Sequence, residues 1–141
     1  MDKKLIRQSI LKALKSLWRS VPMLLGTIFL LGVFSTLVPK SFYIKFFTGN
    51  FFLDPIIGSL IGSISAGNPI TSYIFGGEFL KQGINLLVVT AFLVSWVTVG
   101  LIQLPAESAI LGKKFALIRN LSSFILAIIV AIITILILKV Y

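Results

Sequence analysis

The stretch from Gly58 to Gly77, GSLIGSISAGNPITSYIFGG, is apolar enough for a bilayer but is interrupted at Gly67-Asn68-Pro69. Proline removes a backbone donor and disfavours helix at the residue before it. In lipid, each freed main-chain group must find a partner or a water-filled cavity. A helix broken at membrane depth is therefore costly unless it lines something, and such breaks are where many transporters hold their cargo. The chain reads as a small membrane permease, or as one half of one.

Composition supports a bilayer setting. Hydrophobic residues make up 57% of the 141 residues, and the mean hydropathy is +1.07. Soluble domains lie near ~45–50% apolar even when Gly is counted. The chain has 13 Lys/Arg and 4 Asp/Glu, clustered between long apolar runs, with no Cys and no His. Thiolate chemistry, haem attachment and Cys/His metal sites have no ligands in such a chain. The acids Asp2, Asp54, Glu78 and Glu107 form no close pair in sequence, so carboxylate-pair hydrolysis and Ser-His-Asp catalysis lack their parts. No enzyme activity, catalytic residue, metal or cofactor is expected. The net charge of +9 sits at the ends of apolar spans, which fits the positive-inside rule rather than nucleic-acid binding.

The expected fold is an all-α integral membrane protein. Residues 1–19 place Leu5, Ile6, Ile10, Ala13, Leu14 and Leu17 at helical spacing among basic residues, the pattern of an amphipathic helix lying in the interface. Residues 20–141 form the permease unit. A first span covers 21–38, with Pro22 in its first turn and Pro39 ending it. Residues 39–54 are an aromatic-rich connection, expected as a short interfacial helix and a turn at Thr48-Gly49-Asn50. The element 55–82 is a broken or re-entrant hairpin. Asp54 is expected to cap its first arm, and Asn68 to cap its second arm with Pro69 in the first position. A further span is expected over 84–104, closed by Pro105. A basic interfacial turn follows over 106–119, and a final lipid-facing span over 120–138.

Two topologies compete. A re-entrant 55–82 divides the basic residues nine to four between the sides; a full crossing divides them eight to five. The positive-inside rule favours the re-entrant form. In both, the amino terminus is cytoplasmic and the location is the cytoplasmic membrane.

The segment from Asp54 to Asn120 resembles the ArsP-like predicted permeases. The resemblance is carried by Gly62-Ser63-Ile64-Ser65-Ala66-Gly67-Asn68-Pro69, then Lys81-Gln82-Gly83, Ala91-Phe92-Leu93 and Pro105. It ends in the turn Gly112-Lys113-Lys114-Phe115-Ala116-Leu117-Ile118-Arg119. It implies a solute permease. Members commonly carry cysteines before the proline, where this chain has Ser63, Ser65, Ala66 and Gly67, so thiolate binding of arsenic does not carry over. Members are also usually about twice as long with the unit repeated, which implies a homodimer or a second permease half as partner.

Ser63, Ser65, Gly67, Asn68, Pro69, Thr71 and Ser72 flank the break and are the expected binding residues for a small solute or ion. The alternative is that these small residues serve close helix packing, with their hydroxyls bonded to their own helices. Glu78 is a possible coupling site, with a helical ion pair to Lys81 as the plainer account. Glu107 is expected to start an interfacial helix; the face bearing Ser95 and Thr98 either approaches the pocket or bonds its hydroxyls to its own helix backbone. The competing function is a non-transporting membrane scaffold within a larger complex.

Overall fold

The computed structural model describes residues 3–37, 47–65 and 67–140. The chain divides into two compact units, Met1–Leu37 and Val38–Tyr141. Among the described residues every regular element is an α-helix.

The first unit is one helix, α1, Lys3–Leu37, of 35 residues. The segments expected as an interfacial helix and a separate span are thus continuous. Pro22, expected in a first turn, lies inside the helix. It removes one backbone donor, and the Leu-, Lys- and Ala-rich sequence before it sustains the helix across that loss. Residues 39–46 of the connection expected over 39–54 lie outside the described residues.

The second unit holds α2 (Leu53–Ile64), α3 (Pro69–Lys81), α4 (Leu86–Thr98), α5 (Leu104–Leu111) and α6 (Lys113–Val140). The cap of α2 differs from expectation. Asn50 Oδ1 accepts from the N–H groups of Phe52 and Leu53 at 2.9 and 3.4 Å. Asp54 lies buried in the first turn. Its carboxylate turns back to the N–H groups of Thr48 and Gly49 at 3.0 and 2.9 Å and to the Thr48 hydroxyl at 3.2 Å. Asn50 takes the free amides first, which leaves Asp54 to close the turn before the helix.

The helix break falls where the sequence places it. Ser65 and Asn68 are extended, with ψ of 137° and 138°. Asn68 caps α3 by accepting from Ile70 N–H at 2.9 Å, with Pro69 in the first turn. At its other end α3 closes in a Schellman turn. Ile84 N–H donates to Phe79 O and Gly83 N–H to Leu80 O, both at 3.0 Å, with Gly83 at φ 89°. Asn85 then caps α4 through Leu87 N–H at 3.0 Å.

α2 lies against α4 by its small face: Gly58, Ser59, Gly62 and Ser63 are all buried. A Cβ at Gly58 would stand 2.6 Å from Val88 O, and one at Gly62 would stand 2.4 Å from Phe92 O. This four-residue glycine spacing is the small-residue signature of close helix pairs in membranes. α3 packs on α4 through a row of rings. Phe79 and Phe92 lie 5.2 Å apart, Phe92 and Trp96 5.4 Å, and Trp96 and Phe75 5.8 Å. On another face of α4, Leu87 and Ala91 meet Ala131 and Ile135 of α6.

The element expected over 84–104 is one shorter helix, α4, followed by a break over 99–103 before α5. α4 has 13 residues, ~20 Å at 1.5 Å per residue, which is less than a ~30 Å hydrocarbon core. It stops because the amides that follow find partners elsewhere. Gly100 N–H donates to Asn120 Oδ1 at 2.8 Å, and Leu101 N–H donates to Ser63 O at 3.3 Å. Among the described residues one helical stretch, Lys113–Leu138 with 26 residues, is long and apolar enough to cross a membrane.

Candidate functional site

The two interruptions, 65–68 and 99–103, meet at one cavity of about 300 Å³. Ser65 and Gly67 line it from the first, Pro69 from the start of α3, and Val99, Gly100 and Gln103 from the second. Trp96 and Thr98 of α4, Glu107 of α5 and Arg119 of α6 complete the polar part of the wall. Gly67 lets the chain lie close to the indole: a Cβ there would stand 3.2 Å from Trp96 Cζ2.

One polar network holds the second break. Arg119 donates from Nε to Glu107 Oε2 at 3.2 Å and from Nη2 to Glu107 Oε1. Asn120, only 4% exposed, donates from Nδ2 to Glu107 Oε2 at 3.1 Å and to Ala116 O at 3.0 Å. Its Oδ1 is thereby left for Gly100 N–H. A charged pair, an amide and a main-chain N–H thus run in series from α5 through α6 to the unwound segment after α4.

Hydrogen bonding from Arg119 holds the Glu107 carboxyl below its usual range; burial opposes this, and Asn120 and the Arg119 charge add to it. A carboxylate whose folded pKa is depressed contributes stability above its unfolded pKa, about 4.3. That contribution is lost as pH falls through the lower folded value. The melting temperature of the purified protein is therefore expected to drop on acidification below about pH 4.3. Glu107→Gln should flatten this part of the profile; an unchanged acid limb in that variant would contradict the assignment.

The expected residues separate into two groups. Ser65, Gly67 and Pro69 line the cavity, and the half-buried Asn68 between them is engaged as the α3 cap. Ser63 is buried against the second break: its Oγ donates to Leu60 O at 2.7 Å and its carbonyl receives Leu101 N–H. Thr71 and Ser72 are buried in the first turn of α3 and are absent from the wall; Ser72 Oγ donates to Pro69 O at 2.7 Å. Glu78 lies at the far end of α3, where it accepts from Gln82 Nε2 at 2.9 Å and stands 3.8 Å from Lys81 Nζ. Lys81 is 78% exposed, so that pair contributes little. Thr98 reaches the wall, whereas Ser95 is buried and bonds Ala91 O at 2.7 Å.

Sequence reasoning missed the second break and the roles of Arg119 and Asn120. The available signals were a glycine, Gly100, shortly before Pro105 in an apolar run, and an acid in a first helical turn followed by Arg119. Comparison of the chain with protein-family models, with curated proteins and with solved structures gave no match.

Proposed function

We propose that this chain is a membrane permease subunit that moves a small solute or ion across the cytoplasmic membrane. The observation that carries the reading is the meeting of two helix interruptions at one polar cavity. Unwound backbone is tolerated at membrane depth where it lines a cavity, and discontinuous helices build the substrate sites of many transporters. The long apolar α6 and the resemblance of 54–120 to ArsP-like permeases support the same reading. The distribution of basic residues supports an amino terminus on the cytoplasmic side. The reading includes a homodimeric copy or a second permease half as partner, in a lipid bilayer.

One observation favours the alternative scaffold role. The hydroxyls of Ser63, Ser65, Ser72 and Ser95 all donate to carbonyls of their own helices, as packing residues do. Because the chain has no cysteine, single-cysteine variants separate the two. In membrane vesicles, Ser65→Cys is expected to react with a charged, water-soluble thiol reagent, while Ile129→Cys on the exposed apolar side of α6 is not. A Ser65→Cys that stays unreactive in an inserted, folded protein would leave the scaffold role as the better reading.

A further inference from the structure

The cavity wall carries one cationic side chain among the described residues, Arg119, which is 37% exposed, and one buried donor without a partner, Trp96 Nε1. Arg119 carries five N–H donors in a planar fork. Glu107 takes those on Nε and on one edge of Nη2. Among the described residues nothing accepts from Nη1 or from the outer edge of Nη2. Glu107, the one carboxylate on that wall among the described residues, is already engaged by Arg119 and by the Asn120 amide, so it has little left for a cation. The Ser65 and Thr98 hydroxyls donate their protons to Ile61 O and Val94 O, both at 2.7 Å. They offer a ligand only lone pairs, which suit a hydroxyl on the same molecule. A guanidinium edge matches a carboxylate or phosphate in geometry as well as charge. Liquid water occupies about 30 Å³ per molecule, so a cavity of about 300 Å³ admits a ligand of a few heavy atoms with some water.

We propose that the chamber binds a small oxyanion, a phosphate- or carboxylate-bearing solute, on the edge of Arg119 that Glu107 leaves open. Glu107 sets the affinity by competing for the same cation. The claim that this ligand is cargo rests on the permease reading; the claim that it binds does not.

The test uses the full chain in detergent with Trp18→Phe, which leaves Trp96 as the one tryptophan of the two in the sequence. Inorganic phosphate, acetate and tetramethylammonium are titrated at constant ionic strength while Trp96 emission is followed. Phosphate or acetate should give a saturable change and tetramethylammonium none. Arg119→Gln should weaken the response roughly tenfold or more, the size of a lost charge-assisted hydrogen bond. Arg119→Lys should fall between the two, because it keeps the charge and loses the fork. Glu107→Gln should tighten binding.

The opposite signs at positions 107 and 119 are decisive. A purely structural ion pair would shift both variants the same way, and that result overturns the proposal, as does the lack of a saturable oxyanion response in protein that melts cooperatively. Should Arg119→Gln fail to fold, the direction of the Glu107→Gln shift still decides. Phosphate and acetate uptake into proteoliposomes separates the two readings. Binding without uptake keeps the oxyanion site and removes the permease, whereas uptake of a cation with no oxyanion response does the reverse.

Discussion

Gly62→Val is expected to be the most damaging single substitution in the second unit, lowering stability by about 3 kcal/mol or more. A Cβ at this position would lie 2.2 Å from Ser95 Oγ, 2.4 Å from Phe92 O and 3.1 Å from Trp96 N. Two of these atoms are main chain and cannot rotate aside, so α2 must move away from α4. That movement opens the buried face around Ser59 and Ser63 and pulls Ser63 O from Leu101 N–H. Thermal unfolding of the purified protein should show the loss as a lower midpoint. Gly77→Ala is the control: it lies within α3 with open space where its Cβ would stand. There the loss of backbone freedom in the unfolded chain should raise stability by about 0.5–1 kcal/mol. Equal behaviour of the two variants would show that α2 and α4 are not held at glycine distance.

Asn120→Ala is the second large effect, expected to cost about 2–3 kcal/mol. The substitution removes the acceptor of Gly100 N–H and the Nδ2 donor shared by Glu107 and Ala116 O. The amide is buried, so the cost includes groups left without partners as well as lost bonds. Its signature is local. Hydrogen exchange at Gly100 and Leu101 should accelerate well before that in the middle of α4, since these are the amides that leave α4 for outside acceptors. If exchange rises uniformly instead, Asn120 is not what holds the second interruption.

The two interruptions show what sequence can and cannot reveal. Asn68-Pro69 is legible because a missing donor and a capping side chain act locally, on residues adjacent in the chain. The break after Thr98 has a weaker local signal, Gly100 alone, and no capping side chain beside it. Val97-Thr98-Val99-Gly100-Leu101-Ile102 reads as continuous apolar helix, and it unwinds because Ser63 and Asn120, distant in sequence, accept its amides. Asp54 illustrates a different failure. Its position before a helical run suits a cap, but Asn50 competes for the same amides, and a choice between two caps depends on the path of the chain through Thr48 and Gly49. Pro22 fails in a third way, since a single proline sets a boundary only where the neighbouring residues do not sustain the helix. The spacing of Gly58 and Gly62 was visible, but which helix it approaches is a matter of tertiary packing.

The clasp between Phe79 and Asn85 has a mechanical consequence. Its main-chain hydrogen bonds, together with the row of rings from Phe75 to Trp96, make the second arm and its neighbour a single lever. That lever cannot swing without taking the indole with it. Any widening of the chamber must then be absorbed at the joints flanking Gly67 and Gly100, so stiffening either joint should hold the wall of the chamber in place.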